Sequence, residues 1–89
     1  MGKDVIAYLL VDIFFKSNGD TIEEENLCNK IKKYPGVDDI SIVTGKADII
    51  VKVRVENMDK LREFSLKFLR NLDGVRDTTT LVVLKELDF

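Results

Sequence analysis

An α+β domain with the element order βαββαβ is what this sequence predicts, and three observations carry the prediction. Segments with strand composition recur at Val5–Phe15, Val37–Thr44, Ile49–Val55 and Thr78–Leu87. Stretches with apolar residues at helical spacing separate the first from the second and the third from the fourth. The halves also echo one another: Tyr34-Pro35-Gly36-Val37 and Leu72-Asp73-Gly74-Val75 both read as helix end, turn, Gly-Val and strand, 38 positions apart (74 minus 36).

Val5–Phe15 is apolar on both period-2 faces except for Asp12, the mark of a central strand. Ser17-Asn18-Gly19-Asp20 is turn chemistry, and Asp20 with Glu23 three residues on is an N-cap signature. From Thr21 to Lys33 the apolar Leu27, Ile31 and Tyr34 fall on one helical stripe. Glu23–Glu25 sit in the first turn and Lys30, Lys32 and Lys33 in the last, as the helix dipole favours. Pro35-Gly36 ends that helix. After Val37–Thr44, Gly45-Lys46 suits a tight hairpin into Ile49–Val55, which alternates cleanly. Asn57 caps a second helix with the stripe Met58, Leu61, Phe64 (or Ser65), Phe68 and Leu72, and Gly74 fits the position just past its end.

Two right-handed split βαβ units of this kind interleave into a four-stranded antiparallel sheet with both helices on one face, the ferredoxin-like arrangement. The first and third strands are then central neighbours. The opposite sheet face carries Ile6, Tyr8, Leu10, Phe14 and Ile50, an apolar patch of several hundred Å². Covering it would contribute about 10 kcal/mol before association costs, at about 25 cal/mol per Å². The expectation is a homodimer packed sheet to sheet; the alternative is cover from loops or the Leu87-Asp88-Phe89 tail. Asp12 shares this face with Lys52 and Arg54, whose charges would soften its burial.

The chain of 89 residues is read as one domain, 1–89, with no room for a second core. Its 14 Lys+Arg against 16 Asp+Glu leave a charge of −2, which predicts no pull on nucleic acid or an anionic membrane. A lone Cys28 cannot form an internal disulfide, and no apolar run reaches the length of a membrane span, so a cytoplasmic setting is expected. There is no His, no Gly-rich phosphate loop and no CxxC clip, so neither enzyme, cofactor nor metal site is expected. An anion-binding loop of the acylphosphatase type would need an early Arg, and none precedes Arg54. Cys28 beside Leu27 and Ile31 reads as a small core residue.

Two polar clusters remain. In Thr44-Gly45-Lys46-Ala47-Asp48 the glycine would let backbone amides approach a carboxylate while Asp48 accepts an ammonium group; the plain reading is a solvated hairpin. In Thr78-Thr79-Thr80 the hydroxyls could bond a zwitterion; the plain reading is strand propensity.

These clusters also carry a resemblance. Val43-Thr44-Gly45-Lys46-Ala47-Asp48-Ile49-Ile50-Val51-Lys52-Val53 and Gly74-Val75-Arg76-Asp77-Thr78-Thr79-Thr80-Leu81-Val82-Val83-Leu84 resemble two segments of the RAM (regulation of amino-acid metabolism) effector domain of Lrp/AsnC transcriptional regulators. Pro35-Gly36-Val37 fits as well. Regulators of that family carry an N-terminal helix-turn-helix. Here the first strand begins close to Met1, so the expectation is a chain without one. The resemblance implies a dimer packed through its open sheet faces, rings of dimers, and an amino acid bound between dimers. It also implies association with full-length regulators and no direct DNA contact. By it, Gly45 and Asp48 hold the amino-acid backbone groups and Thr78 and Thr80 line the cleft, with Thr44, Lys46 and Thr79 as secondary candidates. Ala47 stands where many members have Tyr or Phe. The competing expectation is a ligand-free interaction module of the same fold.

Overall fold

A computed structural model describes residues 4–14 and 22–88. Four strands, β1 (Val5–Ile13), β2 (Val37–Ile42), β3 (Ile49–Val55) and β4 (Val75–Val82), form one antiparallel sheet in the order β2-β3-β1-β4. Helix α1 (Ile22–Ile31) follows β1, and α2 (Met58–Arg62) follows β3. This is the ferredoxin-like arrangement with β1 and β3 central. The predicted Ser17–Asp20 turn, the Asp20 cap, Phe15, Thr21 and Phe89 lie outside the described residues.

Strand periodicity makes the core. Ala7, Leu9, Val11 and Ile13 of β1 and Ile49, Val51 and Val53 of β3 point to one face, where they meet Leu27 and Ile31 of α1 and Leu61 of α2. Gly36 sits at φ +100°, and a β-carbon there would lie 2.7 Å from the Arg54 carbonyl oxygen. Its own carbonyl accepts from Arg54 N at 2.7 Å, so a glycine lets the chain press against β3.

The second helix departs from the predicted stripe. After α2 the chain passes through a π-helical turn (Glu63–Phe68) and a 3-10 turn (Leu69–Asn71). The wider turn buries Phe64 and Leu69, five residues apart, and leaves Met58 exposed. Asn57 caps it as predicted, its Oδ1 accepting from Lys60 N at 2.9 Å. Phe64, Phe68 and Tyr34 form an aromatic cluster with ring centroids 4.7–5.6 Å apart.

The last strand runs three residues earlier than predicted at its start and stops at Val82. Asp12 pairs with Asp77 but Ile13 pairs with Val75, so Arg76 is an extra residue in a bulge. The bulge reverses parity, which turns both Val75 and Thr78 to the core and hides the strand's opening from a period-2 reading. It also corrects the expected partner of Asp12. Lys52 stands opposite Tyr8 and Arg54 opposite Ile6, too far along the sheet, and Asp12 pairs with Arg76 at 3.8 Å.

Candidate functional site

The β2–β3 hairpin and the start of β4 lie at the same end of the sheet, on either side of β1. Val11 is the landmark: it pairs with Ile49 on one flank and Thr78 on the other. The hairpin closes where Val43 N donates to Asp48 O at 2.9 Å, so its loop is the four residues Thr44–Ala47 rather than a two-residue turn. Gly45 takes φ +120°, with open space where a β-carbon would stand. Thr44, Gly45 and Lys46 are exposed at the tip, while Ala47 is buried beneath it.

Asp48 is tied into the sheet. Its N–H donates to Val11 O at 3.0 Å, and its carboxylate Oδ2 accepts from Ile13 N at 3.0 Å. The side chain therefore extends the β1–β3 ladder one step past the point where the β3 backbone turns away. A carboxylate offers about four acceptor positions, so this bond is compatible with a second donor.

The three threonines divide between faces. Thr78 is buried, its Oγ1 accepting from Arg70 Nε at 3.2 Å. Thr80 lies on the same, helix-side face, its hydroxyl 3.4 Å from Ser65 Oγ. Thr79 pairs with Leu10 and stands on the open face. Asp48 and Thr78 are separated by two strand spacings, about 10 Å, with the β1 backbone between them. The chain thus brings Gly45, Asp48, Thr44 and Lys46 together, and separately Thr78 and Thr80.

Sequence reasoning missed Arg70. It projects from the 3-10 turn across the edge of β4, with Nη2 also 3.6 Å from Asp77 Oδ1. Its exposed helical position gave no signal; the π turn that sets its direction is not visible in an apolar repeat.

The open face holds Ile6, Tyr8, Leu10, Phe14 and Ile50, joined by Leu81, which stands opposite Tyr8. Tyr8 is 37% exposed, Leu81 49% and Phe14 62%. The C-terminal segment reaches this face through Glu86, 3.7 Å from Lys52, but leaves Leu84 and Leu87 exposed and covers only part of it. Lys52 Nζ also lies 5.8 Å from the Tyr8 ring centroid. Cys28 packs against the core, and its burial, then the charges of Glu24 and Glu25, push its thiol above the ordinary value. Among the described residues no helix is long and apolar enough to cross a membrane.

A ferredoxin-like sheet with a glycine–aspartate loop at one end defines a class of small α+β domains. Within it, the profile of the Lrp/AsnC ligand binding domain matches residues 13–88, and the chain belongs to that family. It is 29% identical over 85 residues to the HTH-type transcriptional regulator FL11 of Pyrococcus furiosus, covering 96% of this chain and 52% of that protein. It is 28% identical over 82 residues to the uncharacterized HTH-type regulator PH0140 of Pyrococcus horikoshii, covering 92% and 48%. The chain therefore spans about half the length of the curated relatives it matches. Among solved structures, TTHA0845 from Thermus thermophilus shares the fold with a TM-score of 0.80 at 22% identity, covering 96% of this chain and 99% of that one. The transcriptional regulator NMB0573 of Neisseria meningitidis, solved as a complex with L-Met, superposes with a TM-score of 0.81 at 25% identity, covering 96% and 53%.

Proposed function

We propose that this chain is an amino-acid-binding module that assembles through its open sheet face and binds its ligand between subunits. The observation that carries the reading is the placement of the Gly45–Asp48 hairpin and the Thr78 edge at one end of the sheet. They lie too far apart to hold one α-amino acid within a single protomer. The hairpin of one copy facing the β4 edge of another would bring them together. Asp48 accepts the ammonium group, the backbone around Gly45 donates to the carboxylate, and Thr78 and Thr80 line the far wall, with Thr44 and Lys46 at the mouth. Thr79 falls instead within the sheet-to-sheet dimer, beside Leu10.

Family membership supports the ligand class, since the matching profile is that of a ligand-binding domain and NMB0573 was solved with L-Met. The exposed Tyr8, Leu81 and Phe14 support the dimer. Rings of such dimers, and mixed assembly with full-length regulators of the family, complete the proposed role: a sensor that modulates transcription regulators by association without contacting DNA itself. A thermal-shift screen of the twenty amino acids tests it. A ligand at about 100 times its dissociation constant adds about 2.7 kcal/mol, which raises Tm by on the order of 10 °C in a domain this small. If none of the twenty shifts the melting temperature, the ligand-free interaction module takes its place.

A further inference from the structure

We infer that Arg70 is the charged donor to the ligand carboxylate, facing the backbone donors around Gly45 across the contact, and so sets the preference for amino acids over amines, an inference that rests on the intersubunit site proposed above. Arg70 leaves the 3-10 turn Leu69–Asn71 beside buried Leu69 and crosses the edge strand β4. Two of its three nitrogens are held, Nε donating to Thr78 Oγ1 at 3.2 Å and Nη2 lying 3.6 Å from Asp77 Oδ1. Asp77 Oδ1 is in turn fixed by Thr78 N at 2.9 Å. These contacts orient the planar guanidinium, and its remaining nitrogen, Nη1, has no ion-pair or hydrogen-bond partner among the described residues. The side chain is half exposed, so part of it is open to solvent at the β4 edge.

That disposition suits a carboxylate: a cation tethered at Nε and Nη2 whose Nη1 is left to donate a charge-assisted hydrogen bond. The neighbouring cation does not compete, because Arg76 is turned to Asp12 on the open face. Thr78, placed at the site by the family resemblance, is the residue that holds Arg70. The hydroxyl then acts by positioning the guanidinium as much as by touching the ligand. Asp48 and Arg70 carry the complementary charges of a zwitterion. An α-amino acid carries both charged groups on one carbon, so on this reading the two residues come from different protomers.

The alternative is that Arg70 only clamps the β4 edge. Calorimetric titration of wild type, Arg70→Gln and Arg70→Lys separates the two, using the amino acid that scores highest in the thermal-shift screen and its primary amide. The amide keeps the side chain and ammonium group and lacks the carboxylate. Arg70→Gln should lose roughly 10–150-fold in affinity for the amino acid and leave the amide unchanged. Arg70→Lys should keep part of the preference, as a point charge without the fork. Equal losses for acid and amide, or unchanged binding of the acid, would overturn the assignment of Arg70 while leaving the site itself standing. Failure of wild type to bind any of the twenty overturns the site, and the role of Arg70 with it.

Discussion

Removing the Asp48 side chain should weaken the fold as well as any ligand complex, and the two effects can be separated. The carboxylate accepts from Ile13 N at 3.0 Å, and Ile13 is 4% exposed, so water cannot replace the lost acceptor without opening the sheet. A hydrogen bond to a charged group contributes about 1.5–3 kcal/mol, and Asp48→Ala should cost about that much. Unfolding entropy of about 2.1 cal/mol/K per residue gives about 0.19 kcal/mol/K for a chain of 89 residues, so Tm should fall by roughly 8–16 °C. Asp48→Asn keeps an amide oxygen in the same place and should cost about 1 kcal/mol or less. Urea melts of the three proteins at one concentration give the stabilities. Calorimetry on Asp48→Asn then reports the charge alone, with a loss of roughly 10–150-fold expected for the amino acid. If Asp48→Ala melts with wild type, the side-chain ladder step contributes nothing and the argument fails. If Asp48→Asn binds as tightly as wild type, the ammonium does not pair there.

Leu10→Glu should dissociate the assembly to a 10.2 kDa monomer in sedimentation equilibrium, because an unpaired acid buried between sheets costs several kcal/mol; an unchanged oligomer refutes the sheet-face dimer. Gly36→Ala should destabilise more than Gly45→Ala, since both adopt positive φ but only Gly36 has backbone, the Arg54 carbonyl, where the methyl would go. Strain alone should cost Gly45→Ala about 1–3 kcal/mol, and equal losses in thermal melts would refute the close-approach argument. Cys28 should react with iodoacetamide at pH 8 more slowly than in the urea-unfolded chain, because its raised pKa and partial burial keep the thiolate scarce; equal rates would contradict the packing of α1.

Local rules sufficed wherever one interaction decided the outcome. Strand β3 was legible residue for residue because Ile49–Val55 alternates without interruption and pairs with β1 in one register throughout, while the shift in its pairing with β2 falls on the β2 side, between Val37 and Asp39. The Asn57 cap was legible because it needs only a side chain and a backbone N–H three residues away. What failed depended on partners distant in sequence. The bulge at Arg76 is set by how β4 meets β1 after Phe14 N donates to Gly74 O at 2.9 Å, and its reversal of parity erased the alternation that would have marked Val75–Asp77 as strand. The π turn exists because Phe64 and Leu69 both find the core at that spacing, which a 3.6-residue template scores as a mismatch.

The candidate site could be read from the sequence as residue types and not as geometry, for the same reason. Gly45 and Asp48 announce a loop that tolerates positive φ beside an acid, but nothing local says that the acid is already bonded to Ile13, 35 positions away. The run of threonines hides that adjacent members face opposite sides of the sheet, and that Thr78 holds a guanidinium from another element. The consequence is physical. If Asp48 and Arg70 hold the two charged groups of one amino acid, as proposed, a chain that carries them on opposite flanks of a buried strand cannot complete the site alone. On the proposed reading, assembly supplies the missing half, so ligand affinity and oligomer stability are linked quantities. Ligand should shift the equilibrium toward the assembled form by the same factor by which assembly raises affinity, because the two describe one thermodynamic cycle.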